Sequence, residues 1–319
     1  MSERGVPDHE GAHRRVCLFA QYDPSGRIAP HVHRYLAHLA DCGFTIHVAC
    51  SGLAGLTEPD REALGRLGIT AHPRANAGLD FGAWQHLLRL GCAAGADEIL
   101  LANDSVFGPF HDLRPIFAAM RERAPDAWGM VASTEGVWHL QSWFVCLSAA
   151  ALARPAVRRV FAQPFAEMGK PEIILHGELG LGVALQAEKL ACAARFEEPR
   201  RNRLRRLARI NPMHLDWAWL ITTGTVPFIK VELLRDNPIR VPWVGCWPSV
   251  VTRVSDYPIE IVRHHLAVPR TSPPPPWRTL MLYLLLTRDK AVAWRALTRH
   301  LRTLRAKART APPPAGRTS

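Results

Sequence analysis

Glu98-Ile99-Leu100-Leu101-Ala102 is an apolar run that leads directly into the polar stretch Asn103-Asp104-Ser105. The apolar residues predict a buried strand of a parallel sheet, with Asp104 at its C-terminal end, where open α/β sheets bind ligands. Earlier in the chain, Asp80 lies in the glycine-punctuated segment 76–84. We expect these two acids to converge on one crevice. The alternative is that Asp104 only caps the next helix, since Asn, Asp and Ser all favour caps and turns.

The order of predicted elements around this strand indicates an α/β protein. Strands are predicted over 16–20, 44–50, 69–72, 98–102, 128–133, 140–147 and 195–197, and helices over 31–42, 58–67, 82–90, 149–162, 173–190 and 211–221. The alternation predicts a doubly wound, mostly parallel sheet. Because crossovers between parallel strands are right-handed, the C-terminal strand ends should share one rim.

The composition is typical of a soluble globular protein, with 48% hydrophobic residues. The seven cysteines are scattered and form no CxxC pair, which argues against a disulfide framework and a structural zinc site and fits a reducing cytosol. We expect no signal peptide, because the N-terminal residues include no apolar core. The apolar run Leu280–Leu286 is too short to span a bilayer.

The chain is predicted to hold one large domain over residues 15–270, flanked by segments of biased composition. Residues 1–14 and 310–319 are expected to be disordered, and 271–276, Thr-Ser-Pro-Pro-Pro-Pro, to form a stiff linker. Residues 277–309 are predicted to form a basic amphipathic helix.

Positive charge is concentrated toward the C-terminus. Residues 1–190 carry 17 Lys/Arg and 20 Asp/Glu, whereas residues 191–319 carry 23 and 8. In the predicted helix 277–309, an apolar stripe that includes Trp277 and Trp294 is flanked by arginines, a pattern typical of helices that lie on anionic membranes. The alternative is a helix docked on its own domain. We expect no specific nucleic-acid partner, because the basic residues lack interleaved aromatic side chains.

Several motifs follow one another in a fixed order. They are Asn76-x-Gly78-x-Asp80-Phe81-Gly82-Ala83-Trp84, Leu100-Leu101-x-Asn103-Asp104-Ser105 with Gly108-Pro109, His139-Leu140-Gln141-Ser142-Trp143-Phe144, Glu178 before Gly180, Asn211-Pro212-x-His214 with Trp217, and Pro227-Phe228-Ile229-Lys230 running to Asn237-Pro238. This order resembles the rhamnan synthesis protein F family, glycosyltransferase-like proteins of rhamnose-rich surface polysaccharides. The resemblance covers roughly residues 16–240.

The motif order is also similar to the GT-A glycosyltransferase plan, so the resemblance implies a GT-A-like nucleotide-diphosphosugar transferase fold. In that plan a strand ends in an Asp-x-Asp motif. Asn103-Asp104-Ser105 keeps one acid where the plan has two, which leaves metal dependence open. Asn and Ser also offer oxygen donors that Mg²⁺ or Mn²⁺ accept.

Roles for the donor side follow from this resemblance. Asp104 would hold a divalent metal against the diphosphate, with His214 as a second ligand; the alternative for His214 is helix packing or capping. Asp80 would bind the nucleotide or sugar, or else cap the helix that follows it. Lys230 would contact phosphate, or else pair with a surface acid. The full set predicted to bind the donor is Asn76, Gly78, Asp80, Asn103, Ser105 and Lys230.

Glu178 and Asp104 are the two predicted catalytic residues. On the acceptor side, Glu178 is the predicted base. Its expected position at a helix start also suits an acid for stability alone. His139, Gln141 and Ser142 would line the acceptor site, although a strand at this place also has core-facing positions.

The resemblance implies an enzyme, a hexosyltransferase-type glycosyltransferase that moves rhamnose from dTDP-L-rhamnose to a growing polysaccharide or lipid-linked glycan. It would act in the cytoplasm, peripherally on the inner face of the cell membrane. The alternative is a non-catalytic scaffold or binding module of polysaccharide assembly with a degenerate glycosyltransferase fold.

Overall fold

The computed structural model describes residues 13–52, 56–199, 202–266, 275–295 and 297–298. The chain divides into two compact units, with the boundary between Asn202 and Arg203. Most of the predicted N-terminal disordered segment and of the proline-rich linker, and the whole predicted tail 310–319, lie outside the described residues. The prediction of one domain over 15–270 stays a prediction.

The first unit contains a mixed sheet and the helices that connect its strands. Its strands are β1 (Arg15–Tyr22), β2 (Thr45–Ser51), β3 (Thr70–Arg74), β4 (Glu98–Asn103), β5 (Val106–Phe107), β6 (Ala127–Ser133), β7 (His139–Leu140), β8 (Phe144–Ser148) and β9 (Cys192–Phe196). Its helices are α1 (Pro30–Asp41), α2 (Glu58–Arg66), α3 (Leu79–Arg89), α4 (Arg114–Glu122), α5 (Ala149–Ala153), α6 (Pro155–Val160), α7 (Lys170–Ile173) and α8 (Gly180–Ala187), with a π-helical segment, Ile174–Leu179, between the last two.

The strand order in the sheet is β3-β2-β1-β4-β8-β6-β7, with β9 paired to β6. Strands β1 to β4 are mutually parallel and β9 is parallel to β6, while β8 runs antiparallel between β4 and β6. The predicted α/β class with a largely parallel sheet is therefore confirmed. Every residue of β4 is buried, as the continuous apolar run predicts for a strand covered on both faces.

The C-terminal ends of the strands meet at one edge. Ala20 near the end of β1 pairs with Asn103 at the end of β4, and Ala102 pairs with Phe144 at the start of the antiparallel β8. We call this edge the strand-end rim and define it by residues 22–23, 74–80, 103–105 and 141–143. It is the rim that the crossover rule predicts.

Helix α3 is held against the end of β4 by its buried face. The Trp84 indole is fully buried and donates to the carbonyl of Ala102 at 3.2 Å. The Phe81 ring packs edge-on against Trp84, with ring centroids 5.0 Å apart. The helix starts at Leu79 because Gly78 takes a left-handed φ of +74° that glycine reaches without strain. This start corrects the predicted 82–90 helix: Asp80 lies in the first turn, so its alternative role as the N-cap is wrong.

Glu178 is not at a helix start. Helical structure begins earlier, at Lys170, where the Gly169 N–H donates to the Glu172 carboxylate at 2.8 Å, and it runs through the π-helical segment into α8. Glu178 lies in the π-helical segment, so the expectation that a helix N-terminus favours this acid is wrong.

The second unit is mainly helical. Its elements are α9 (Arg203–Ala208), α10 (Pro212–Leu215), α11 (Trp217–Thr222), β10 (Ile229–Lys230), α12 (Val231–Arg235), α13 (Trp247–Val254), α14 (Ile259–Leu266) and α15 (Trp277–Leu286). Among the described residues, no helix combines the length and apolar character needed to cross a bilayer.

The predicted continuous helix over 277–309 is corrected by the structure within its described part. Helix α15 ends at Leu286, and helical structure resumes only at Lys290. The break is explained by Asp216, which is fully buried and accepts a hydrogen bond from the Arg288 backbone N–H at 2.7 Å and an ion pair from the Arg288 guanidinium at 2.9 Å. Arg205 of the basic run also pairs with Asp216. Two arginines that the sequence assigns to a basic surface therefore neutralise a buried acid.

Replacing Asp216 with Ala should lower the free energy of unfolding by about 3–5 kcal/mol, because two mostly buried guanidinium groups lose their counter-charge. Urea denaturation measures the change. The control is Glu260→Ala, which removes an exposed ion pair and should stay within about 0.5 kcal/mol. Equal effects of the two substitutions would contradict this assignment.

Gly177→Ala should lower the free energy of unfolding by about 1–3 kcal/mol, because a β-carbon there would meet ring atoms of Phe81 at 2.7–2.9 Å. Gly180→Ala is the matched control three residues on, where the nearest atom, the Leu175 carbonyl oxygen, is 3.5 Å away. That control should be neutral or stabilising by up to about 1 kcal/mol. Thermal and urea unfolding of both variants measure these changes. Equal unfolding free energies of Gly177→Ala and Gly180→Ala would refute the close packing at Gly177.

Candidate functional site

Three acids meet at the strand-end rim. Asp104 directly follows β4 and accepts the Tyr22 backbone N–H at 2.8 Å. Burial and, to a smaller extent, the nearby negative charges of Asp80 and Asp23 together raise the pKa of Asp104 to about 7, against the lowering effect of the Tyr22 N–H. The predicted convergence of Asp80 and Asp104 on one rim therefore agrees with the structure.

Asn103 links Asp80 on α3 to Ser105 after β4. Its side chain is buried, and its amide N–H donates to the Asp80 carboxylate at 2.5 Å. The side-chain oxygen Oδ1 accepts the Ser105 N–H at 3.0 Å and the Ser105 hydroxyl at 2.6 Å. The amide is therefore committed to positioning Asp80 and Ser105. Direct contact of Asn103 or Ser105 with a donor stays a prediction.

Glu178 is the centre of a second polar group. Its carboxylate accepts the Ser142 N–H at 2.7 Å and the Ser142 hydroxyl at the same oxygen. Its other oxygen lies 3.5 Å from His139 Nε2. Because His139 Nδ1 is 2.9 Å from the Val137 carbonyl and must donate to it, Nε2 attracts the carboxylate only when the ring carries a second proton.

The two groups are linked by side-chain packing and strand pairing within the first unit. Phe81, the neighbour of Asp80 in α3, packs on Gly177, the neighbour of Glu178. Ser142 precedes Phe144, whose partner Ala102 precedes Asn103. The structure thus gathers the predicted residues Asp80, Asn103, Asp104 and Ser105 into one group and joins Ser142 with Glu178 in a second group linked to it by these neighbours.

The other predicted residues of the first unit differ in exposure. His139 and Gln141 are each only 4% exposed, and the Gln141 side-chain oxygen accepts the Trp143 indole N–H at 3.1 Å. Asn76 is exposed in the loop before α3, and Gly78 packs on Phe165. A role of His139 and Gln141 on the acceptor side stays a prediction.

His214 and Lys230 belong to the second unit. His214 is buried, which lowers its pKa to about 4, with the Lys230 charge as a further cause, so the ring is neutral at pH 7. Its Nε2 atom lies 3.9 Å from the Glu232 carboxylate. A neutral ring nitrogen suits a metal ligand. The predicted partnership with Asp104 and the phosphate contact of Lys230 stay predictions.

Sequence reasoning missed two residues at the rim. Asp23 follows β1 as Asp104 follows β4, so the pattern that identified Asp104 was present there too. Arg74 ends β3 and donates to the Ser51 hydroxyl at 2.9 Å and to the Ala77 carbonyl, which fixes the loop before α3.

The opposite end of the sheet carries a pocket of different character. Glu98 at the start of β4 lines it and pairs with Arg121 at 2.9 Å. Arg121 thus neutralises Glu98 in this pocket, which Asp97 and Asp126 also line.

The raised pKa of Asp104 gives a pH-dependent prediction. A carboxyl with a pKa of 3.8 when unfolded and about 7 when folded binds its proton more tightly in the folded chain, so unfolding free energy falls as pH rises between those values. The difference in unfolding free energy between Asp104→Asn and the wild type should therefore shift in favour of the variant as the pH rises from about 5 to about 8. The buried Asp289, whose pKa is also raised to about 7, contributes equally to both proteins.

Urea denaturation at the two pH values measures this difference. Asp112→Asn is the control, because the Arg114 hydrogen bond lowers the pKa of Asp112 and its titration ends below this pH window. If Asp104→Asn and Asp112→Asn show the same flat difference from the wild type, the negative cluster at the rim is not as close as described.

This protein is similar to a curated protein and to solved structures. The chain is 25% identical over 198 residues to the virulence protein VirA of Vibrio anguillarum; the match covers 53% of this chain and 63% of that protein, so the chain spans less than two thirds of this relative. Among solved structures, HddC from Yersinia pseudotuberculosis is similar at 10% identity over 48% of this chain and 85% of that one, with a TM-score of 0.30. The glycosyltransferase GlyE of Streptococcus pneumoniae TIGR4 is similar at 9% identity over 95% and 66%, with a TM-score of 0.33.

The family comparison agrees with the motifs that lie on the strand-end rim. The model of the family described as rhamnan synthesis protein F matches residues 48–291, which include α3, β4 and the Glu178 segment. The match extends over most of the chain, and the protein belongs to the rhamnan synthesis protein F family.

Proposed function

We propose that this protein is a GT-A-like glycosyltransferase that acts in the assembly of a surface polysaccharide. The observation that carries the proposal is the cluster of Asp23, Asp80 and Asp104 at the C-terminal end of a largely parallel sheet, with the Glu178 group linked to it by the packing of Phe81 on Gly177. Such strand ends are the usual ligand site of open α/β sheets. Family membership supports the same role.

The donor would bind at the Asp80–Asp104 side. Nucleotide or sugar hydroxyl groups are donors for the Asp80 carboxylate, which Asn103 holds in place. The exposed loop with Asn76, fixed by Arg74, adds polar groups beside it. Lys230 is proposed to contact the phosphates, as a compact positive charge suited to that task.

A divalent cation, Mg²⁺ or Mn²⁺, fits the donor set of this rim. Asp104 and Asp23 offer hard carboxylate oxygens, and the pKa of Asp104 is raised by burial and by neighbouring negative charge that a cation would relieve. Asp104, with His214 as the proposed second ligand, would hold it. When bound, the cation would neutralise the leaving diphosphate.

Glu178 is proposed as the base on the acceptor side. Its carboxylate already accepts two hydrogen bonds from Ser142, which fix the orientation of one oxygen. An acceptor hydroxyl would donate to the carboxylate and lose its proton to it as the new glycosidic bond forms and the bond between the sugar and the leaving diphosphate breaks. His139, 3.5 Å from the second oxygen, and Gln141 behind Trp143 are proposed to shape this side.

The family points to rhamnose as the sugar, with dTDP-L-rhamnose as donor and a growing polysaccharide or lipid-linked glycan as acceptor. A lipid-linked acceptor would require contact with the inner face of the cell membrane. Helix α15 offers exposed apolar side chains for that contact, with Trp277 at 69% and Leu285 at 67% exposure. The exposed Arg278, next to Trp277 in the chain, would face anionic headgroups.

A specific observation favours a second candidate, a non-catalytic scaffold of polysaccharide assembly. The motif at the end of β4 has one acid, and the amide of Asn103 is engaged by Asp80 and Ser105 rather than turned to a ligand. A scaffold would bind donor without turning it over.

A donor screen by nucleotide release separates these candidates. The purified protein with Mn²⁺ and a glycan acceptor should release dTDP from dTDP-L-rhamnose, and Asp104→Asn and Glu178→Gln should each reduce the rate at least about 100-fold. The control Glu122→Gln changes an exposed acid on α4 and should not alter the rate.

The contrary results are distinct. Unchanged turnover in both site variants would refute the site. Donor binding by calorimetry without release from any nucleotide sugar would favour the scaffold.

A further inference from the structure

A second cluster of ligating side chains lies away from the strand-end rim. It consists of His47 on β2, His72 on β3 and Cys92, which follows the C-terminus of α3, and we call it the His-His-Cys cluster. His47 Nδ1 is 3.1 Å from His72 Nε2, and Cys92 Sγ is 3.7 Å from the same His72 nitrogen. All three ligand atoms lie within 4.8 Å of one another.

We infer that the His-His-Cys cluster is a zinc site in which His47, His72 and Cys92 supply three ligands and a solvent molecule supplies the fourth. In a tetrahedral site with Zn–N of about 2.0–2.1 Å and Zn–S of about 2.3 Å, two nitrogens stand about 3.3 Å apart and a nitrogen and a sulfur about 3.6 Å. The separations of 3.1 and 3.7 Å are close to these edges.

Hydrogen bonding alone accounts poorly for this arrangement. The His72 nitrogen faces both an imidazole nitrogen and a thiol, but a neutral ring nitrogen has one lone pair or one proton to offer. A metal ion that accepts a lone pair from each atom satisfies all three. Imidazole ligates a metal ion in its neutral form.

The ligand types select the metal. Imidazole and thiolate together suit Zn²⁺, whereas Mg²⁺ and Mn²⁺ prefer oxygen donors. Binding would convert the Cys92 thiol to a thiolate and release its proton to solvent. The carboxylates of the rim and this cluster thus prefer different ions.

The place of the cluster in the fold indicates what the metal does. His72 and His47 lie on the edge strand β3 and its neighbour β2, and Cys92 lies just beyond the end of α3. Zinc would tie these two strands to the end of the helix whose first turn carries Asp80. The inference does not rest on the proposed glycosyltransferase function.

Metal binding to the full chain tests the inference. Protein stripped with a chelator should bind one equivalent of Zn²⁺ in competition with a chromogenic chelator. With Co²⁺ as a probe it should show a thiolate-to-metal charge-transfer band. Cys92→Ser should abolish that band, and Cys92→Ser and His72→Gln should each weaken Zn²⁺ binding at least about 100-fold.

Two controls keep the residue types constant. Cys192→Ser and His38→Gln change a half-buried cysteine and histidine elsewhere in the first unit, and both should retain wild-type stoichiometry and spectrum. Circular dichroism of each variant checks that it is folded. Wild-type protein that takes up no Zn²⁺, or a cobalt band that persists in Cys92→Ser, would overturn the inference.

Discussion

The candidate site depends on the docking of α3 against the end of β4. The hydrogen bond from the Trp84 indole to the Ala102 carbonyl and the packing of Phe81 on Gly177 leave the helix little freedom to slide. Asp80, in the first turn of that helix, is therefore held beside Asn103 and Asp104. Gly78 of the 76–84 motif packs on a further segment, where an added β-carbon would meet Phe165 at 2.9 Å.

This docking brings the negative charges of Asp80 and Asp23 close to the buried carboxyl group of Asp104, which is energetically unfavourable. Asp104 is raised to a pKa of about 7 because burial and two neighbouring acids oppose its ionisation. A structure selected only for stability would remove one of these acids, whereas a site for a cation and a diphosphate needs them. Proteins commonly keep such destabilising groups where they bind ligands.

The sequence predicted the features that depend on local pattern. The buried run 98–102 and the alternation of strands and helices were sufficient to predict the sheet and its rim. The break after Leu286 was not predictable, because it is imposed by Asp216, distant in sequence and buried with Arg288. The His-His-Cys cluster was missed for the same reason. Its three side chains come from β2, β3 and the end of α3, so no short sequence motif such as CxxC indicates it.

We propose above that the strand-end rim holds a divalent cation with a nucleoside diphosphate. Paramagnetic broadening of backbone amide signals by Mn²⁺ in the presence of dTDP tests it most directly, with the Cys92→Ser protein used to remove the second cluster. The amides of Tyr22 and Ser105, which lie next to Asp104, should broaden first. Sharp Tyr22 and Ser105 signals while amides elsewhere broaden would contradict it.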